Sequence, residues 1–113
     1  MAEKLILERK VEHLLNQEIY PMLKKFPKAE KFSLCQEIKQ AFYALLKSIM
    51  LANNIRTKRR YHQEEADAYQ KLLLVLISVA CEQKYITQKK KHHLQTFLYE
   101  IGKLIGGWMK STN

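Results

Sequence analysis

Glycine and proline are nearly absent from most of this 113-residue chain, and this restricts its fold more than any other feature. The chain has three Gly and two Pro, and all three Gly lie between Gly102 and Gly107. A β-sandwich or barrel needs turn residues at short intervals, which this sequence does not supply. Long segments rich in Leu, Lys, Glu, Gln and Ala favour helices instead. The sequence therefore predicts an all-α protein that folds as a single domain over residues 1–113.

Apolar residues recur at helical spacing in four segments, which predicts four helices joined by short connections. The first helix is expected from about Ala2 to Lys25. Pro21 lies within this segment and is expected to kink the helix or to end it near Glu18, because proline removes a backbone hydrogen bond. Four such helices joined in sequence form an antiparallel up-down-up-down four-helix bundle.

The second helix is expected to begin with a capping box, in which the Ser33 hydroxyl and the Gln36 amide close the first turn. It is expected to end at residues 53–54, two asparagines that precede a basic loop at residues 55–61. Tyr61, at the end of this loop, is the tyrosine best placed for stacking on a nucleic-acid base.

The third helix is expected from about His62 to Gln83. Residues 72–80 in its second half are apolar on all sides, whereas a single bundle covers only a stripe of each helix. We therefore expect this helix to contact a second subunit. The residues assigned to the oligomer interface are Leu74, Leu76 and Ile77.

The fourth helix has the most regular apolar pattern, and Thr87 is its expected N-cap. The positions expected to face the core are Leu94, Phe97 or Leu98, Ile101, Leu104 or Ile105, and Trp108. Trp108 is expected to close the core. The preceding Gly106 and Gly107 allow either a turn of the backbone or the close approach of another helix.

Twenty Lys and Arg against eleven Asp and Glu give a formal net charge of +9, which favours polyanionic partners such as RNA and DNA. In an up-down-up-down bundle the first and third connections lie at the same end. The cations expected there are Lys24, Lys25, Lys28, Lys31, Lys84, Lys89, Lys90 and Lys91, with His92 and His93 nearby. The cations expected at the opposite end are Arg56, Lys58, Arg59 and Arg60.

Lys89, Lys90 and Lys91 occupy the first turn of the fourth helix, where the helix dipole disfavours each cation by up to about 1 kcal/mol. No acidic residue occurs between Glu82 and Glu100. Two interpretations of these lysines stay open. They form either a solvated face that keeps the protein soluble or a nucleic-acid-binding patch that contacts phosphates.

No cluster of residues in the sequence indicates catalysis, a metal or a cofactor. The chain has no glycine-rich phosphate loop, nucleophile elbow or paired-carboxylate motif. Cys35 and Cys81 lack the spacing of zinc ligands, even with His92 and His93 included, so we interpret them as small buried hydrophobes. The longest apolar run, residues 72–80, is far shorter than the ~20 residues that span a bilayer. We therefore expect a cytoplasmic protein that binds no membrane.

Two stretches of the sequence resemble a known family of four-helix-bundle proteins. Residues 25–34, KFPKAEKFSL, resemble the junction between the first and second helices of that family. Residues 100–111, EIGKLIGGWMKS, closely resemble its C-terminal signature, whose structural positions are Gly102, Gly106, Gly107 and Trp108. The family is the accessory variability determinant (Avd) protein of diversity-generating retroelements. It is related to bundle proteins encoded in 23S rRNA intervening sequences.

The resemblance implies a ring-like homopentamer of four-helix subunits with a basic surface. It also implies a non-catalytic accessory protein that binds nucleic acid, as template RNA or cDNA, together with the reverse transcriptase of the retroelement. The complex would support mutagenic cDNA synthesis. Members of the family often carry two arginines on the third helix, at positions that match Leu74 and Ser78, and this chain lacks both charges.

A second function stays open on the sequence alone. The bundle could instead be a protein–protein scaffold of the 23S rRNA intervening-sequence type, whose basic ends contact an acidic partner and bind no nucleic acid. Gene neighbourhood would narrow these alternatives. A reverse transcriptase gene next to this one favours the accessory role or a scaffold that binds the polymerase, and a 23S rRNA locus favours the intervening-sequence type.

Overall fold

A computed structural model describes the backbone of residues 2–112 and the side chains of residues 6–112, which leaves Met1 and Asn113 outside the described residues. Regular structure within residues 2–112 is entirely helical, which confirms the predicted all-α class. No helix in this part of the chain is long and apolar enough to cross a bilayer. The four main helices are α1 (Ala2–Leu14, a π-helical turn Leu15–Ile19 and an α-helical turn Tyr20–Leu23), α2 (Leu34–Asn54), α3 (Arg59–Glu82) and α4 (Gln88–Ser111).

The α1 helix continues through Pro21, with the π-helical turn Leu15–Ile19 immediately before it. A π-helical turn moves the backbone hydrogen bonds by one residue, which accommodates the ring and the missing N–H of the proline. Met22 and Leu23, both buried, continue the apolar stripe beyond the proline. The alternative in which the helix ends near Glu18 is therefore wrong.

The start of α2 is closed by a different residue from the one that the sequence predicted. Ser33 is the N-cap by position, but its side chain accepts no hydrogen bond from the helix. Its hydroxyl instead donates to Glu30 Oε1 at 2.5 Å, and the same oxygen accepts from the Leu34 N–H at 3.3 Å. The predicted capping box of Ser33 and Gln36 is therefore wrong, because the carboxylate of Glu30 is the stronger acceptor.

The connection between α2 and α3 is shorter than predicted. Ile55 is extended, Arg56–Lys58 form one 3₁₀ turn, and α3 begins at Arg59 instead of near His62. The second half of the predicted basic loop is therefore helical. Tyr61 lies in the first turn of α3, where it is exposed and its ring packs edge-on against that of His62.

The core lies along one stripe of each helix, and α4 resolves the alternatives that the sequence left open. The core-facing residues of α4 are Leu94, Leu98, Ile101, Ile105 and Trp108. Phe97 and Leu104 are only partly buried. The Thr87 hydroxyl accepts a hydrogen bond from the Lys90 N–H at 3.0 Å, which confirms the predicted N-cap.

The three glycines of α4 have different environments. Gln70 of α3 is buried and donates from Nε2 to the Leu98 carbonyl oxygen at 2.9 Å, and a Cβ atom on Gly102 would lie 2.8 Å from the same nitrogen. Gly102 therefore allows the two helices to approach. A Cβ atom on Gly106 or Gly107 would meet nothing within 4 Å. Both residues are helical, so neither forms a turn, and no other helix of this chain requires them to be glycine.

Candidate nucleic-acid interface

The first and third connections lie side by side at one end of the molecule. The Tyr85 hydroxyl donates to Glu30 Oε2 at 2.7 Å, and the ring centroids of Phe26 and Tyr85 are 5.2 Å apart. These contacts join residues 24–33 to residues 83–87. We call the surface formed by these two connections and the first turn of α4 the cationic end.

Most of the lysines that the sequence placed at the cationic end are exposed. The exposed lysines are Lys24, Lys25, Lys28, Lys31, Lys84 and Lys89, and Lys91 is half-buried. They come from three parts of the chain: the first connection, the third connection and the start of α4. The fold therefore concentrates positive charge that is dispersed in the sequence.

Lys84 adopts a backbone conformation that favours glycine. Its φ is 66°, in the left-handed region, immediately after the C-cap of α3. Its N–H donates to the Cys81 carbonyl oxygen at 2.9 Å, and the Tyr85 N–H donates to the Ala80 carbonyl oxygen at 3.0 Å, which closes the end of the helix. A lysine in this conformation costs ~1 kcal/mol relative to glycine. The chain thus carries a cation at a position where stability alone favours glycine.

Lys90 differs from its neighbours because it makes a specific contact within the bundle. Its Nζ donates to Glu18 Oε1 of α1 at 2.7 Å, and His93 Nε2 lies 3.5 Å from the other oxygen of the same carboxylate. The hydrogen bond from Lys90 lowers the pKa of Glu18 below its ordinary value. Lys90, which the sequence assigned to nucleic-acid binding, therefore joins α4 to α1.

Two carboxylates at the cationic end are already hydrogen-bonded within the protein. Glu18 accepts from Lys90, and Glu30 accepts from Ser33, Leu34 and Tyr85. The hydrogen bonds from Ser33 and Tyr85 lower the pKa of Glu30, and the contact with Glu30 raises the pKa of Tyr85. These contacts orient both carboxylates towards internal donors.

A cleft of about 280 Å³ opens at the cationic end, between the end of α1, the first connection and the start of α2. Its lining residues are Tyr20, Leu23, Lys24, Phe26, Pro27, Lys28, Lys31, Cys35 and Lys39. Lys39 was absent from the sequence-predicted site, although it lies one helical turn after Cys35 and so on the same face of α2. The Lys39 Nζ lies 5.9 Å from the ring centroid of Tyr20.

The arginines at the opposite end are engaged in structural contacts. Arg59 donates to two backbone carbonyl oxygens at the end of α2, at 2.8 and 3.0 Å. Arg60 donates to the carbonyl oxygen of Met109 in α4 at 3.3 Å. Arg56 and Lys58 are exposed in the 3₁₀ turn between α2 and α3. The sequence could not separate these two pairs, because all four residues are adjacent cations.

One face of α3 carries exposed apolar side chains at spacings of three and four residues. Leu72, Val75 and Val79 are 42%, 58% and 38% exposed. We call these three residues the apolar stripe of α3. Of the residues that the sequence assigned to an oligomer interface, Leu76 borders this stripe and is partly buried, Leu74 is partly buried, and Ile77 is fully buried. Ile77 therefore belongs to the core of the single chain, because its helical phase points it at the other helices.

The positions that match the family's helix-three arginines form part of the α3–α4 packing. Gln95 Nε2 donates to the carbonyl oxygen of Leu74 and to the hydroxyl of Ser78, both at 3.0 Å. Neither position carries a charge that could contact a phosphate.

Within residues 6–112, no group of three or more His, Cys, Asp or Glu side chains is placed to hold a metal ion. Cys35 and Cys81 are both buried and unpaired by a disulfide. Burial raises the pKa of the Cys35 thiol. This placement agrees with their interpretation as small buried hydrophobes.

A search of curated proteins finds no match to the sequence. The sequence profile of the family described as bAvd-like matches residues 5–112. The match includes the junction at residues 25–34 and the C-terminal stretch at residues 100–111. It covers almost the entire chain and agrees with the all-α fold and the Avd resemblance of both stretches. The chain therefore belongs to the bAvd-like family.

Proposed function

We propose that this chain is a non-catalytic, cytoplasmic accessory protein of a diversity-generating retroelement. It binds template RNA or cDNA together with the reverse transcriptase, and so supports mutagenic cDNA synthesis. Family membership supports the accessory role. The observation that carries nucleic-acid binding is the cationic end, where lysines from three parts of the chain are exposed on one surface.

The chemistry of the cationic end favours phosphates over base edges. A lysine ammonium is a compact charge on a flexible stem, and it binds phosphate without fixing the geometry of the contact. Contacts to phosphate position a nucleic acid but carry no sequence information. We therefore expect the protein to bind different sequences with similar affinity, as a factor that holds a template beside a polymerase requires.

We also propose that the four helices run up-down-up-down and that the subunits assemble into a ring, a pentamer by analogy with the family. The contacts between α1 and α4 support the alternation, because they pair the two helices in antiparallel order. Lys10 Nζ lies 3.7 Å from Glu100 Oε2, whereas Glu18, later in α1, contacts Lys90, earlier in α4. The apolar stripe of α3 supports assembly, because it offers a face at coiled-coil spacing that the described part of the chain leaves exposed. A ring would combine several weak phosphate sites into useful avidity.

Nucleic-acid binding is best tested by fluorescence anisotropy with a structured RNA and a matched DNA across a series of salt concentrations. We expect log affinity to fall linearly with log salt, with a slope set by the number of phosphates contacted. Lys89→Glu should weaken binding and reduce the slope. Lys103→Glu, an exposed position on the same helix, is the matched control. Equal effects of the two variants would show that net charge alone matters and would contradict the assignment.

A protein–protein scaffold that binds no nucleic acid is the second candidate. The apolar stripe of α3 and the uncharged positions Leu74 and Ser78 favour it. It predicts a stable complex with the reverse transcriptase and no RNA binding near physiological salt. Co-purification of the polymerase with the wild-type protein and with Lys89→Glu separates the candidates. A complex that forms equally well in both, without RNA binding by either, would favour the scaffold.

A further inference from the structure

The cleft at the cationic end combines an apolar floor with a cationic rim. Leu23, Phe26 and Cys35 form its floor, and all three are buried. Among the residues that the structure describes, none of those that line the cleft is acidic, and four are lysines, which we call its rim: Lys24, Lys28, Lys31 and Lys39. This arrangement suits a ligand in which a flat apolar group and an anionic group lie close together. A nucleotide has this composition.

The volume of the cleft restricts the form of nucleic acid that can enter it. At about 280 Å³, it lies just below the range of ~300–1,000 Å³ typical of small-molecule sites. In a continuous duplex the bases are stacked inside the helix, so lysines on a protein surface contact its phosphates and its bases do not enter a cleft. Unpaired bases can leave the stack and pack against side chains. A cleft of this size admits one nucleotide at most, and only an unpaired base can reach its floor.

We propose that this cleft binds one unpaired nucleotide of a single-stranded RNA or DNA. The base lies on the floor formed by Leu23, Phe26 and Cys35, and the flanking phosphates contact the lysines of the rim. This inference rests on the proposed function and adds that the bound strand is unpaired. The cationic end would hold a single-stranded template, or the unpaired part of a template–cDNA hybrid, in preference to a continuous duplex.

Lys39 provides the test, because it lines the cleft and lies outside the connections that form the rest of the cationic end. Lys47 is an exposed lysine on the same helix that does not line the cleft, so Lys47→Ala is the matched control. The probe is an RNA strand without internal pairing, compared with the same strand annealed to its complement. We expect Lys39→Ala to weaken strand binding about five- to tenfold and duplex binding less than about twofold. Lys47→Ala should change neither by more than about twofold.

Cys35 provides a second measurement that reports occupancy of the cleft directly. Alkylation of each cysteine by the neutral reagent N-ethylmaleimide is followed by mass spectrometry on the wild-type protein. We expect the saturating RNA strand to slow alkylation of Cys35 severalfold. Cys81, which is buried outside the cleft and lines a separate pocket beside Lys84, is the internal control for protection by binding elsewhere at the cationic end. Polyglutamate, which is anionic but has no bases, should not protect Cys35.

The outcomes separate this inference from the proposed function. Equal loss of strand and duplex binding in Lys39→Ala would assign Lys39 to the general phosphate surface and overturn the nucleotide site. Binding that persists without protection of Cys35, or equal protection by polyglutamate, would also overturn it. Absence of binding to strand and duplex alike in the wild-type protein would instead contradict the proposed function.

Discussion

The two ends of the bundle both carry clustered cations and use them differently. At the end formed by α2, α3 and the C-terminus of α4, Arg59 and Arg60 donate to backbone carbonyl oxygens. At the cationic end, most of the lysines are exposed and the carboxylates of Glu18 and Glu30 accept internal hydrogen bonds. A guanidinium has several donors in a fixed plane and suits helix ends, whereas an ammonium is hydrated and mobile. The number of cations at one end of the bundle therefore does not by itself locate a binding surface.

Reversing the charge of three exposed lysines at the cationic end should have the largest effect on RNA binding. Lys28→Glu, Lys31→Glu and Lys89→Glu combined should reduce RNA affinity by at least about 100-fold at moderate salt, because each reversal removes a phosphate contact and adds repulsion. The salt slope should fall by about three, one for each contact. Thermal unfolding should be nearly unchanged, since these side chains are exposed. If the triple variant binds RNA with wild-type affinity, nucleic-acid binding does not occur at the cationic end.

Arg59→Ala tests the opposite end. This change should lower the free energy of unfolding by about 1–3 kcal/mol, because two carbonyl oxygens at the end of α2 lose a charged donor. Urea denaturation measures the loss. RNA affinity, corrected for the folded fraction, should stay within about twofold of the wild type. Arg56→Ala is the control, since Arg56 is exposed in the neighbouring turn. Similar effects of the two changes on stability would contradict the capping role of Arg59.

Lys84→Gly should separate stability from binding at a single position. Relief of the left-handed conformation should raise the free energy of unfolding by about 0.5–1 kcal/mol. Loss of one phosphate contact should lower RNA affinity a few-fold in the same variant. Lys84→Asn is a useful comparison, because asparagine also tolerates this conformation. A variant that gains stability with unchanged affinity would remove Lys84 from the binding surface.

The smallest expected effect concerns the Glu18–Lys90 pair and depends on pH. Because Lys90 lowers the folded-state pKa of Glu18 below its ordinary value of 4.5, the pair stabilises the fold above that pH. The contribution is lost as the pH falls through the lowered pKa. Glu18→Gln should therefore cost about 0.5–1 kcal/mol at neutral pH, since both partners are only partly buried.

Urea denaturation of wild-type and Glu18→Gln proteins across the acid range measures this contribution. The two curves of unfolding free energy against pH should begin to converge below about pH 4.5 and meet below the lowered pKa of Glu18, where protonation removes its charge in the folded wild type. A constant difference between the curves down to the lowest pH would show that the ion pair contributes nothing specific.

Local patterns predicted the helical architecture but not the details of its ends. The spacing of Leu94, Ile101 and Trp108 identified the buried face of α4, and Thr87 was correctly identified as its cap. The Ser33 capping box was wrong because Glu30, outside the motif, engages Ser33: the Ser33 hydroxyl donates to its carboxylate and the Ser33 N–H to its carbonyl oxygen. The start of α3 was misplaced because consecutive cations show no apolar periodicity that would mark a helix.

The sequence by itself determined that this chain is helical, strongly basic and a member of the bAvd-like family. These properties follow from composition and from residues close together in the chain, where periodicity reports directly on buried and exposed faces. Tertiary structure decided which cations are exposed and what surrounds them. Glu18 and Lys90 are separated by 72 residues, and Arg60 and Met109 by 49. Only the packing of distant helices brings such partners together, and it also places Lys39 beside the first connection to form the cleft.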